Sequence, residues 1–217
     1  VMAAVEVAAI LLALLAAIDP QPDDRIVGLG DYIDRGPDSR GVIEELIRLA
    51  DRCQLIPLLG NHDEMLLALR RGQDEVLSNW LGFGGSQTLA SYQCSTPDDV
   101  PEEHIDFLAN GCSYYQPEEN VFFVHASYLA DKPLNQQPGQ ILRGHSLRRG
   151  VPGPHVSGKT AIVGHTAQRD GRILDVGHLK CIDTYCYGGR WLTAMDALSG
   201  QVWQCDRKGK LREQESA

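Results

Sequence analysis

Four short signatures hold the residues best suited to chemistry: "GDYIDRG" (30–36), "GNHDE" (60–64), "VHAS" (124–127) and "VGHT" (163–166). Each closes an apolar run that reads as a strand, in "RIVGLG", "QLIPLLG", "NVFFVHAS" and "KTAIVGHT". In α/β sheets, ligands collect beyond the carboxyl ends of strands, so residues far apart in sequence can converge there on one pocket. Asp31, Asn61, His125 and His165 are therefore expected to face one another. A carboxylate, an amide oxygen and two imidazoles form a mixed oxygen and nitrogen donor set. That set suits a borderline divalent ion such as Mn, Fe or Zn better than the all-oxygen shell of Ca. A single histidine after a strand is as readily a hydrogen-bonded turn residue; the weight lies in the repetition. By chance the five fixed residues of G-D-x-x-D-R-G would occur in roughly one chain of this length in several thousand.

The elements that must carry these signatures alternate between the two regular structures. A helix over 7–18 ends in the turn "DPQPDD", followed by the strand "RIVGLG", a helix over 39–52, a strand over 54–60 and a helix over 62–72. This alternation implies an α/β fold. Asp38 falls where a negative charge favours the start of the 39–52 helix. From 80 to 115 the pattern becomes helical ("WLGFGGSQTLASY" and "PEEHIDFLANG"), which suggests an inserted cap, about 78–115. Its "WLGFGG" reads equally as a substrate-facing loop or as a helix packed on the core. Strands are expected again over 120–127, 159–166, 177–184, 190–197 and 201–206, with a long loop over 131–158.

Composition narrows the function classes. A chain of 217 residues fits one domain, 1–217, with a frayed tail over about 206–217. The formal charge of −9 argues against a general binder of nucleic acid or anionic membrane, so positive charge for an anionic substrate must be concentrated locally. Six cysteines without a C-x-x-C pair are expected to be reduced thiols, in keeping with a cytoplasmic location. The apolar run 7–18 is too short for a membrane span and has no Lys or Arg before it, so a packed helix is expected rather than a membrane segment or signal peptide. Oligomeric state is not legible.

Together these motifs resemble the calcineurin-like metallophosphoesterases, in the phosphoprotein phosphatase branch, with bacterial serine/threonine phosphatases most similar. The likeness extends to the closing "IDTYCYGGRWLTAMDALSGQVW" (182–203). It implies a β-sandwich of two mixed sheets flanked by helices, with a two-metal site at its edge, Mn being the expected ion. By that resemblance Asp31 would bridge both metals, and Asn61, His125 and His165 would complete the shell of the second. His62 would be the general acid, Asp34 would orient it, and Arg35 would grip phosphoryl oxygens with its planar fork. Arg143 is the expected second phosphate-binding arginine, with Arg148 and Arg149 as fallbacks. His145, His155 and His178 are expected to be non-ligands. The implied reaction is direct attack of a metal-bound hydroxide on a phosphomonoester, foremost phosphoserine or phosphothreonine in proteins.

The family's opening G-D-x-H-G motif should fall near 2–6, where Ala3 and Val5 stand in place of Asp and His. One firmly held metal rather than two is the corresponding expectation. Two alternatives accompany the protein phosphatase: a dinucleoside tetraphosphate hydrolase on the same scaffold, and a pseudophosphatase with a crippled first metal site. Enzymes of the first kind often read G-D-x-x-A-R-G, so Asp34 leans toward the protein phosphatase.

Overall fold

The computed structural model describes residues 6–212, so Ala3 and Val5 lie outside the described residues. Helix α1 (Glu6–Ile18) forms from an Ala- and Leu-rich run with high intrinsic helix propensity. It is wedged between two neighbours. Ile10 and Leu14 pack with Cys205, and Leu15 packs with Val42, Leu46 and Leu49. Among the described residues no helix is long and apolar enough to cross a membrane.

Strands β1 (Arg25–Gly28) and β2 (Gln54–Pro57) pair in parallel, with Arg25 opposite Gln54, and α2 (Ser39–Ala50) connects them. Asp38 is the N-cap of α2, its Oδ1 accepting from the Gly41 N–H at 3.0 Å, which satisfies one of the helix's orphan donors. Val42, Ile43, Leu46 and Leu49 recur at three- and four-residue spacing and bury one face of α2. Helix α3 (Asn61–Arg70) starts within four residues of the end of β2. Its first turn therefore sits beside the loop that leaves β1.

The cap comprises α4 (Leu77–Trp80), a kinked segment over Leu81–Gly85, α5 (Ser86–Tyr92) and α6 (Glu102–Ala109). It does not hang free of the body. Trp80, Tyr92, Val100, Ile105 and Leu108 share one apolar cluster with Ile33, Ile43, Leu66, Leu67 and Leu69. The stretch expected to be helical up to 115 ends instead in a strand, β3 (Tyr114–Tyr115), on the edge of the main sheet.

That sheet runs β3-β4-β5-β7-β6, with β4 (Val121–Val124), β5 (Thr160–Val163), β6 (Leu174–Asp175) and β7 (Leu179–Cys181). β4, β5 and β7 are parallel, while β3 and β6 run antiparallel to their neighbours, so the sheet is mixed. An antiparallel hairpin, β8 (Leu192–Met195) and β9 (Val202–Cys205), packs on α1. The expected α/β architecture of helices flanking a mixed sheet is present; where two mixed sheets were expected, the described strands form one mixed sheet of five, a parallel pair and an antiparallel pair.

Two further expectations need correction. Residues 131–158 are not a structureless loop: they contain α7 (Gly139–Gly144) and 3₁₀ turns over Leu134–Gln136 and Leu147–Arg149. Leu134, Leu142 and Leu147 anchor them in a cluster with Phe122, Val124, Ala161 and Leu179. The strand expected over 177–184 is the short β7, preceded by a separate β6.

Candidate active site

Both parallel pairs end at one place. The chain leaving β1 delivers Asp31, the chain leaving β2 delivers Asn61 and His62, and β4 and β5 lead into His125 and His165. His125 Nδ1 lies 2.5 Å from the Leu29 carbonyl, which joins the two sheets and leaves Nε2 facing inward. Around Nε2 stand Asn61 Oδ1 at 3.3 Å, His165 Nδ1 at 3.2 Å and Asp31 Oδ2 at 3.4 Å. Ligand atoms of Asp31, His125 and His165 all lie within 4.8 Å of one another. This donor set fits a divalent ion. The carbonyl partner of His125 fixes the tautomer whose free nitrogen points at the cluster, an outer-shell arrangement common in metal sites.

The electrostatics fit as well. Burial opposes ionisation of Asp31, but the facing imidazoles of His125 and His62 and the His62 backbone N–H hold its carboxyl below the usual range. Burial, and then the neighbouring His125, push His165 down to about 4, so its nitrogen is unprotonated and ready to donate a lone pair at neutral pH.

Two glycines make this approach possible. A side chain on Gly30, at φ +89°, would meet the Gly60 nitrogen at 2.5 Å and His125 Nδ1 at 2.9 Å. A Cβ on Gly60 would fall 2.2 Å from Asp31 Oδ1. Among the described residues seven non-glycine residues have positive φ, and four of them (Asp31, Asp34, Arg35 and His165) belong to this site; such strain clusters at functional sites, where the surrounding fold over-determines it.

Asp63 is a residue the sequence reading assigned no role. It is fully buried, and its two carboxylate oxygens accept from the backbone N–H groups of Asp31 (2.8 Å), Tyr32 (3.0 Å) and Gly60 (2.9 Å). It thereby ties the loop after β1 to the start of α3. Burial and the adjacent Asp31 push its carboxyl up to about 7. The available signal was its place in "GNHD", where an acidic residue at the third helical position bonds back to the cap. Asp63→Asn turns an NH₂ toward these donors. The expected result is a loss of about 1–3 kcal/mol in urea unfolding and roughly 10- to 100-fold weaker divalent-ion binding by calorimetry.

A second group lies beside the first. His62 Nδ1 is 2.6 Å from Asp34 Oδ2, and both side chains are buried. Asp34 is held in turn by Thr88, whose hydroxyl donates to Oδ1 at 2.7 Å and accepts from the Asp34 N–H at 2.9 Å, and by Ser39 at 3.2 Å. Thr88 and Ser39 carry no motif of their own and were not legible beforehand. On the other side of the ring, Arg35 donates to His62 Nε2 at 2.6 Å, and its guanidinium lies 4.7 Å from the Tyr187 ring centroid.

Arg143 is placed at the edge of this group. Its guanidinium pairs with Glu64 of α3 and donates to Ser113 Oγ at 3.1 Å, while Nε has no hydrogen-bond partner. Arg148 donates instead to the Ala167 carbonyl at 3.0 Å. His155 and His178 are engaged by the Lys132 and Pro152 carbonyls, both at 2.8 Å. "WLGFGG" divides between its two readings: Trp80 is fully buried core, whereas Phe83 is exposed with its ring centroid 6.4 Å from that of His62.

Comparison with known proteins agrees with this geometry. A family model for calcineurin-like phosphoesterases matches residues 7–166. The symmetrical bis(5'-nucleosyl)-tetraphosphatase of Nitrosomonas europaea is 45% identical over 124 residues, which is 55% of this chain and 39% of that protein. The enzyme of the same name from Acidovorax sp. (strain JS42) is 48% identical over 60 residues, 27% of this chain and 21% of that protein. The chain thus spans well under half the length of these curated relatives. Among solved structures, that of a candidate diadenosine tetraphosphatase superposes with a TM-score of 0.68 at 23% identity, covering 90% of this chain and 86% of the other. A cold-active protein tyrosine phosphatase from a psychrophilic Shewanella superposes with a TM-score of 0.60 at 14% identity, covering 94% and 75%. At these identities the structural likeness speaks for the fold alone.

Proposed function

Because this chain belongs to the calcineurin-like phosphoesterase family, we propose that it is a metal-dependent hydrolase whose substrate is a dinucleoside tetraphosphate, cleaved into two nucleoside diphosphates. The observation that carries the hydrolase chemistry is the Asp34–His62–Arg35 chain set directly beside the Asp31, Asn61, His125 and His165 cluster. The substrate class is supported by the names of the relatives matched in sequence.

Asp31, Asn61, His125 and His165 would hold the ion. A divalent metal there supplies Lewis-acid stabilisation of charge on the phosphoryl oxygens and lowers the pKa of the attacking water. Arg35 binds the phosphoryl oxygens: its terminal nitrogen already reaches the site, and turning from His62 onto an anion exchanges a neutral acceptor for a charged one. That movement frees His62 Nε2. Asp34, fixed by Thr88 and Ser39, keeps the ring oriented and stabilises it when it is protonated, so that Nε2–H can be given to the departing oxygen. In balance, the water oxygen bonds to phosphorus and releases a proton to solvent, the bridging P–O bond breaks, and the leaving diphosphate takes the electron pair together with the proton from Nε2, which solvent supplies to the ring once Arg35 has turned away.

Arg35→Ala is expected to weaken inhibition by inorganic phosphate or vanadate by ~1.5–3 kcal/mol, roughly 10- to 150-fold in Ki, together with catalysis. Unchanged inhibition places Arg35 outside the phosphate site.

A second reading, hydrolysis of phosphoserine or phosphothreonine in proteins, is favoured by Asp34 and its 2.6 Å contact with His62, since an alkoxide leaving group needs an acid. Assays of the Mn-loaded chain on diadenosine tetraphosphate, a phosphoserine peptide and p-nitrophenyl phosphate separate the two. Faster release of ADP than of peptide phosphate supports the tetraphosphatase; the reverse order favours the second reading, and no turnover of any of the three removes both.

A further inference from the structure

We propose that Phe83 and Tyr187 form the walls of a pocket for a nucleobase beside the reaction centre, and so determine specificity. The proposal rests on the dinucleotide reading for the identity of its planar ligand. Phe83 is 55% and Tyr187 45% exposed, unusually wet for rings of their size. Single exposed aromatics need no explanation. These two come from distant segments and flank the same pair of side chains. Phe83 sits edge-on to His62 with ring centroids 6.4 Å apart, Tyr187 lies under the Arg35 guanidinium at 4.7 Å, and Arg35 joins the two by its 2.6 Å contact with His62.

Each ring projects from a tight turn, and Tyr187 also packs edge-on against Tyr185, with ring centroids 4.8 Å apart. Phe83 projects from the kink between α4 and α5, whose next residue, Gly84, has φ +124° and packs so closely that a Cβ there would stand 2.5 Å from the Arg35 nitrogen. Tyr187 belongs to the 3₁₀ turn Cys186–Gly188, whose Cys186 carbonyl accepts from Arg207 Nε at 3.1 Å and whose Tyr187 carbonyl also receives the Arg207 guanidinium.

The space they bound, about 470 Å³, is also lined by Arg35, Ser86 and Gln87. That volume falls within the ~300–1,000 Å³ of small-ligand pockets. Aromatic faces suit a flat ligand because stacking requires no particular edge pattern. The exposed Gln87 amide adds a donor and an acceptor of the kind that pair with an adenine edge. A phosphopeptide would bring the charge for Arg35 but no flat ring for the two walls.

The test compares binding of adenosine 5′-(α,β-methylene)diphosphate with that of methylenediphosphonate, which has the same charged end and no base, by calorimetry on the Mn-loaded chain. Wild type is expected to prefer the nucleotide. In Phe83→Ala and in Tyr187→Ala the ratio of the two dissociation constants should shrink about 5- to 150-fold, while Phe83→Trp and Tyr187→Phe retain it. Absence of any nucleotide preference in wild type, or an unchanged preference in both alanine variants, overturns the pocket. The outcome is separable from the tetraphosphatase reading: a base preference lost with these rings, in a chain that does not cleave diadenosine tetraphosphate, supports the pocket and removes only that reaction.

Discussion

Asp31→Asn is expected to lower divalent-ion affinity by more than about 10²-fold, since loss of a direct ligand should exceed the ~10- to 100-fold cost of losing an outer-shell partner. Hydrolysis should fall with it. Asp31 is the anionic member of a cluster whose other members, Asn61, His125 and His165, are neutral when they ligate, so removing its charge removes the ion's main electrostatic attraction. Against burial, His125 and His62 hold the Asp31 carboxyl below its usual range, so Asp31 itself has no proton to lose, whereas a proton that burial opposes and Asp31 favours on His125 must leave when metal enters. Asn has nearly the same shape, and the Asp31 backbone N–H remains paired to Asp63, so the fold should survive the change. Asp38→Asn is the control from the same segment: Asn is as good an N-cap as Asp, and stability and metal binding should stay near wild type. Calorimetric titration with Mn decides the matter, and an Asp31→Asn chain that binds as wild type does would remove Asp31 from the ligand set.

The positions of Asp31, Asn61, His125 and His165 were legible because strand ends impose them. An apolar run that must be buried stops where its first polar residue points out of the ladder, and parallel strands all stop at the same edge. The observed strands are shorter than the apolar runs for the same reason: β5 ends at Val163, and Gly164 and His165 have already turned toward the site. Asp38 as a helix cap was equally local and equally readable.

What was not legible depends on contacts between segments distant in sequence. Thr88 lies 54 residues from Asp34, and nothing in "SQTLAS" distinguishes a hydroxyl that supports a buried carboxylate from one that faces solvent. The 131–158 segment looked structureless because Pro, Gly and Arg dominate its composition, while its fold is set by three leucines too widely spaced to show a helical period. Trp80 and Phe83 stand three residues apart, about one turn, yet one is core and the other faces the site. The kink at Gly84, whose φ of +124° is not helical, breaks the helix between α4 and α5 and changes the face, and a periodicity argument assumes that the face is continuous.

His62→Asn is expected to reduce turnover of alkyl phosphates by ~10² to 10⁴ while leaving metal affinity close to wild type, because the hydrogen bond His62 makes with Asp31 comes from its backbone N–H, which the substitution keeps. The loss should depend on the leaving group. An alkoxide cannot depart without a proton, whereas an aryl oxide or a nucleoside diphosphate, whose terminal phosphate has a second pKa of about 6, leaves as a stable anion. A plot of log kcat/KM against leaving-group pKa should therefore be steeper for His62→Asn than for wild type. On diadenosine tetraphosphate the penalty should lie at the shallow end of that line, and on a phosphoserine peptide at the steep end. The structure adds a condition to this expectation. His62 Nε2 accepts from Arg35, so the ring has no proton to give at that atom until Arg35 turns onto the phosphoryl group. In Arg35→Ala the ring loses that competitor along with the phosphate grip, and the leaving-group slope should stay near that of wild type even as the absolute rate falls. Equal losses for His62→Asn across the whole series would mean that the ring positions Arg35 and Asp34 without transferring a proton.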